Sequence, residues 1–249
     1  MTKPTVAVSP VRELRDRIIV ALDVETAGDA REISNELSGH VGAFKVGLQL
    51  FTAAGPSIVR EFAEVGIKVF LDLKFHDIPN TVAKASVEAA RLGVWMFNVH
   101  ASGGGEMMRR VVSEVDEACD MANIMRPLII GVTVLTSSND ATLAEIGVDG
   151  DAESHVVRLA RLAAASGLDG VVASPHEVRA IKNAVDRKDF TVVTPGIRPT
   201  FATDDDQRRV TTLEQACALG SDYVVIGRPI TQAKDRLEAV DRLLCEVHA

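Results

Sequence analysis

Eight short apolar runs, all but the seventh followed by a stretch that can form a helix, constrain this chain more than any other feature. The runs are Arg17–Leu22, Ala43–Gly47, Ile67–Leu73, Val94–Val99, Pro127–Val134, Leu168–Ala173, Phe190–Thr194 and Tyr223–Ile226. Runs of this length read as strands buried on both faces, the parallel type. Between them, helices are predicted over Ala27–Leu37, near Leu48–Glu64, over Thr81–Arg91, from Gly103–Gly105 toward Cys119, near Ala141–Ile146, over Ala152–Ser166 and over His176–Val185. A last helix starts at Pro229, with Ile230, Ala233, Leu237, Val240, Leu244 and Val247 at helical spacing. Eight strands alternating with helices predict an α/β fold, a (β/α)8 TIM barrel. An open doubly wound sheet is the alternative, but its first turn would carry GxGxxG where this chain has Asp23. A length of 249 residues suits one barrel. Residues 1–14 read as a lead-in and 15–249 as a single barrel domain. The longest break, Ile197–Val210, is rich in Asp, Arg and Thr and reads as a functional loop.

The third run carries charge where charge is costly to bury. Asp72 and Lys74 are two apart, so both side chains point to one face of the strand. With Leu71 and Leu73 outward under a helix, that face is the barrel interior. Asp77 and Thr81 follow, and Pro79 stands where a helix can begin. Their four-residue spacing predicts one side of a first helical turn. Such alternation is either a structural ion pair in a barrel mouth or a site.

The ends of the other strands favour a site, because the C-terminal strand ends of a barrel form one active face. Asp23, Lys45, Asp72 with Lys74, His100, Thr136 with Ser137, Pro195-Gly196 with Arg198, and Gly227-Arg228 all fall there. Barrels often hold phosphate with the loops after strands seven and eight. Here those loops carry Gly196, Arg198, Gly227 and Arg228. Gly227 lets backbone N–H groups approach an anion at a helix start, and Arg228 adds a bidentate donor. A tight-turn glycine and a solvated arginine are the plain alternative. His100 reads as a pocket wall, and His76 has no second metal ligand at a useful spacing. Asp204–Asp206 reads as a solvated run, and Gly103–Gly105 as a loop-to-helix junction.

Composition excludes some classes of function. A formal net charge of −8 argues against general nucleic-acid binding. Cys119, Cys217 and Cys245 form no CxxC pair, which suits a reduced, cytoplasmic protein without a disulfide frame or zinc site. Residues 1–17 lack the apolar core of a signal peptide, and no apolar run is long enough to cross a bilayer.

The stretch Asp72-Leu73-Lys74-Phe75-His76-Asp77-Ile78-Pro79-Asn80-Thr81 resembles the DxKxxDIPNT signature of the orotidine 5′-phosphate decarboxylase family. The likeness continues in chain order through Ala21-Leu22-Asp23, Phe44-Lys45-Val46-Gly47, Thr133–Ser137, Thr194–Pro199 with Asp206–Arg209, and Ile226–Pro229. The departures are the lead-in and the composition of the loop between Arg198 and Gln207. The resemblance implies cofactor-free and metal-free decarboxylation of orotidine 5′-monophosphate to uridine 5′-monophosphate and carbon dioxide. It implies Lys74 as the cation and proton donor, Asp72 beside the departing carboxylate, and Lys45 and Asp77 holding the array. Asp23 and Lys45 would touch the ribose, and Thr136 and Ser137 the base. Pro195, Gly196, Arg198, Gln207, Gly227 and Arg228 would form the phosphate side. Asp77 and Thr81 would reach a neighbouring subunit's site, which implies a homodimer.

Two rivals remain at this point. A magnesium-dependent sugar-phosphate decarboxylase or aldolase on the same barrel carries an acid on the second strand, where this chain has Lys45. A catalytically silent phosphate-binding barrel need not retain Lys45, Asp72, Lys74 and Asp77.

Overall fold

In a computed structural model describing residues 14–199 and 211–247, the chain folds as a TIM barrel. The elements alternate as expected: β1 Ile18–Ala21, α1 Ala27–Leu37, β2 Ala43–Gly47, α2 Leu48–Ala54, α3 Ser57–Glu64, β3 Val69–Phe75 and α4 Pro79–Arg91. Next come β4 Met96–His100, α5 Gly104–Ala122, β5 Leu128–Val132, α6 Asp140–Glu145, α7 Ala152–Ala165, β6 Gly170–Val172 and α8 Val178–Ala184. The chain closes with β7 Thr191–Pro195, α9 Leu213–Leu219, β8 Tyr223–Ile226, α10 Arg228–Thr231 and α11 Arg236–Glu246. All eight strands are parallel to their neighbours, and β8 pairs with β1 to close the barrel.

Strand parity divides the apolar residues into two cores. Ile18, Val20, Leu71 and Phe97 face outward and pack under the helices with Ile33, Phe62, Val111 and Leu243. Ile19, Ala43, Phe70, Met96, Ile130, Val193, Tyr223 and Val225 fill the interior. Trp95 meets Tyr223 edge-on inside the barrel, at 5.1 Å between ring centroids and 77° between planes.

Four differences from the sequence expectation have physical causes. The single helix expected near Leu48–Glu64 is two, because Gly55 turns at φ 69° and Pro56 cannot extend the preceding hydrogen-bond ladder. The third strand runs to Phe75 rather than Leu73, because Phe75 still pairs with Val99 beyond an irregular register. The last helix is also two. Asp235 accepts from the Glu238 N–H at 2.8 Å and caps a fresh start, while the apolar repeat carries across the break. Helix α9 was not anticipated. Its signature is the capping box in which Thr212 accepts from Gln215 N–H and the Gln215 side chain accepts from Thr212 N–H.

The N-terminal face of the barrel is fastened by one device used twice. Asp169, just before β6, accepts from the Ile129 N–H of β5 and from Arg126, both at 2.7 Å. Asp222, just before β8, accepts from the Val192 N–H of β7 and from Lys182, both at 2.7 Å. Replacing Asp222 by alanine leaves the Val192 N–H without its acceptor, while Lys182 keeps the Phe190 carbonyl at 2.8 Å. An unsatisfied donor of this kind costs about 2 kcal/mol, about 4–8 °C in melting temperature for a chain this long. Thermal unfolding measures the drop. Because this face is remote from the strand ends that carry the site, kcat should stay at the wild-type value.

Candidate active site

The inward positions of β2 to β4 change from apolar to polar as each strand reaches its C-terminal end. Ala43 gives way to Lys45, Phe70 to Asp72, and Met96 to Asn98, each two residues on. Register places Lys45 beside Phe70 and Gly47 beside Asp72, so the polar residues form a layer at the mouth.

Asp72 is the centre of that layer. Lys74 Nζ lies 2.7 Å from its Oδ1, and Lys45 Nζ 3.4 Å from its Oδ2. Lys45 also donates to Asp23 Oδ1 at 3.0 Å. The Asp72 side chain is 13 % exposed and that of Lys45 11 %, so water screens their attraction little. Lys74 is more open at 29 %, which leaves its ammonium able to meet a ligand at the mouth. Burial on its own would push the Asp72 carboxyl up. Lys45 and Lys74, with hydrogen bonds from Lys74 and Asn98, outweigh it and hold Asp72 below the usual carboxylate range. The pairing therefore stabilises the fold at neutral pH, and that contribution fades as pH falls through the depressed value.

Two local features make room for this array. Gly47 has no side chain, and a Cβ there would stand 3.0 Å from Lys45 Nζ and 3.3 Å from Asp23 Oδ1. Lys74 itself sits in the left-handed region at φ 53°, where β3 bulges between its pairings at Leu71 and Phe75. A lysine held there costs about 1–3 kcal/mol, a strain that clusters at functional positions. Its backbone N–H donates to Asn98 Oδ1 at 2.8 Å, and Asn98 Nδ2 donates to Asp72 Oδ1 at 2.7 Å.

His100 ends β4 half-buried, its ring tilted against His76 at 5.3 Å between centroids. Burial first, then the charges of His76 and Lys74, push its imidazole below the ordinary value, although Asp72 opposes them. That shift favours the neutral imidazole.

Other sequence-predicted residues follow the C-terminal ends of later strands. Thr136 and Ser137 are exposed on the loop after β5. Pro195 ends β7 and Gly196 follows it. Arg198 N–H donates to the Thr211 carbonyl at 3.0 Å, which fixes the base of the next loop. Gln207 lies outside the described residues, as do Asp204–Asp206, Arg208 and Arg209. Gly227 caps the four-residue α10, whose first residue is Arg228. The helix that follows Gly227 is therefore a single turn, not the long helix expected.

Asp77 does not join the array within one chain. It is exposed and accepts from the Ile78 N–H at 2.6 Å. Helix α4 starts at Pro79 with Ile78 as its cap, so Asp77 precedes the first turn instead of sharing it with Thr81. Thr81 is exposed as well. Two residues missed in the sequence join the site: Asn98, through its two hydrogen bonds, and Gly47, through the space it leaves. An amide inside the apolar run Trp95-Met96-Phe97-Asn98-Val99, at the parity of Met96, was the readable signal.

Among the described residues, no group of three or more His, Cys, Asp or Glu could hold a metal ion. No helix among them is long and apolar enough to cross a membrane.

Comparison with known proteins bears on this same face. An orotidine 5′-phosphate decarboxylase from Syntrophotalea carbinolica is 54 % identical over 237 residues, covering 95 % of this chain and 97 % of that one. One from Geotalea daltonii is 51 % identical over 237 residues, covering 95 % and 98 %. The crystal structure of orotidine 5′-phosphate decarboxylase from Lactobacillus acidophilus superposes with a TM-score of 0.80 at 37 % identity, covering 93 % of this chain and 99 % of that one. A family model described as orotidine 5′-phosphate decarboxylase / HUMPS matches residues 16–243, a span that includes every described residue of the charged mouth. With a closed barrel, a Lys–Asp–Lys array at its C-terminal face and relatives alike over nearly their whole length, this chain belongs to the orotidine 5′-phosphate decarboxylase / HUMPS family.

Proposed function

We propose that this chain decarboxylates orotidine 5′-monophosphate to uridine 5′-monophosphate and carbon dioxide, in pyrimidine nucleotide synthesis. It works without metal or organic cofactor, as a cytoplasmic homodimer with shared sites, and residues 15–249 are its catalytic unit. The observation that carries this reading is Asp72 seated between Lys45 and Lys74 at the barrel mouth, 3.4 and 2.7 Å away.

In the reaction the C6–carboxylate bond breaks, carbon dioxide leaves, and the electron pair stays on ring carbon C6. Lys74 stabilises that charge and delivers its proton to C6. Asp72 stands against the substrate carboxylate. Two like charges about 4 Å apart interact by about 4 kcal/mol near a protein surface, and losing carbon dioxide removes that repulsion. The array is assembled before substrate arrives, so little reorganisation is needed as charge develops. Lys45 holds Asp72 and, with Asp23, the ribose. Thr136 and Ser137 hold the base. Arg198, Gln207, Gly227 and Arg228, beside Pro195 and Gly196, hold the phosphate. Asp77 and Thr81 act in the partner's site, in keeping with their exposure here.

The second reading is a magnesium-dependent sugar-phosphate decarboxylase or aldolase. It is disfavoured by Lys45, a cation on β2 already bonded to Asp23 and Asp72 where a metal-holding acid would stand. One assay separates the readings: loss of orotidine 5′-monophosphate absorbance in excess chelator. Full turnover is the expected result. Activity that returns only with magnesium would support the second reading, and phosphate-ligand binding without turnover would indicate a silent barrel.

A further inference from the structure

Asn98 touches two parts of the charged array at once and has no role in the scheme above. It is 1 % exposed, on the inward face of β4, with Met96 two residues before it and His100 two after. Its Oδ1 accepts from the backbone N–H of Lys74 at 2.8 Å, and its Nδ2 donates to Asp72 Oδ1 at 2.7 Å. Only one orientation of the amide satisfies both partners, because the Lys74 N–H needs an acceptor and the carboxylate a donor. The ladder between β3 and β4 is irregular between Leu71 and Phe75, and Asn98 supplies an acceptor inside that gap. Lys74 stands there at φ 53°, a conformation that persists only when its surroundings hold it.

We propose that Asn98 is a positioning residue for decarboxylation: its amide ties the Asp72 carboxylate to the Lys74 backbone, so that carboxylate and ammonium meet the substrate as one rigid unit. The proposal rests on the decarboxylase reading. The charged and titratable groups around Asp72 are Lys45 of β2 with its partner Asp23, Lys74 of β3, and His100 of β4 with His76 against it. Asn98 is the neutral donor among them.

Two substitutions test the role. Asn98→Ala frees both partners. A misplacement of this kind costs about 10²-fold in rate, so kcat should fall by that factor while KM and uridine 5′-monophosphate affinity barely change. Asn98→Asp keeps the size and the acceptor for the Lys74 N–H but sets a second carboxylate against Asp72. Like charges at that distance raise the protonation range of the pair, so the acidic limb of the kcat–pH profile should move to higher pH. A purely structural role would lower the melting temperature and leave that limb in place. If Asn98→Ala does not fold, Asn98→Asp decides alone: wild-type kcat with an unmoved acidic limb overturns the proposal. Wild-type protein without turnover overturns the decarboxylase reading and this role with it. An active wild type beside an unchanged Asn98→Asp overturns the positioning role only.

Discussion

Changing Lys74 to alanine should lower turnover of orotidine 5′-monophosphate by about 10⁴-fold or more and leave the barrel folded. A positioned proton donor is worth about 10²–10⁴-fold, and here the same ammonium also stabilises the developing charge. The fold should survive because Asp72 keeps its other partners, Lys45 at 3.4 Å and Asn98 at 2.7 Å, and is not left as a lone buried charge. The measurements are kcat from substrate absorbance and a thermal melt of the same sample. A folded variant working within tenfold of wild type would remove Lys74 from the chemistry.

The second large effect is a recovery. Asp77→Ala and Lys74→Ala proteins should each be nearly inactive alone. When mixed under conditions of subunit exchange, they should regain about a quarter of the wild-type rate, because half the dimers are mixed and each has one intact site. The intact site takes Lys74 from one chain and Asp77 from the other, while the second site carries both defects. Asp77 is exposed, and among the described residues its carboxylate accepts from the neighbouring Ile78 N–H, which leaves it open to a second subunit. Mass-tagged subunits verify exchange. If exchange occurs and activity stays flat, Asp77 acts within its own chain and the shared site is wrong.

The barrel was legible in the sequence because strand parity and strand ends are local properties. Asp72 and Lys74 two apart could only share a face, and the structure brings their side chains to 2.7 Å. Boundaries are less legible wherever two local signals compete. The capping box at Thr212 and Gln215 announced α9, and Gly55-Pro56 announced the break between α2 and α3. The continuous apolar repeat from Ile230 to Val247 hid the cap at Asp235 that splits the last helix. The site was legible in its charges and not in its supports. Asn98 lies in an apolar run, and its value depends on a bulge in the neighbouring strand that no spacing rule predicts. Asp77 stands in the exposed turn between β3 and α4, and a single sequence carries no geometry for what meets it there.

The edge-on contact between Trp95 and Tyr223 gives the barrel a built-in optical reporter. The chain has one tryptophan and one tyrosine, and they meet across the interior from opposite sides of the sequence. Light absorbed by the tyrosine can pass to the indole efficiently only while the fourth and eighth strands stand together. Tyrosine-sensitised emission therefore follows closure of the barrel itself, in a native chain that needs no dye.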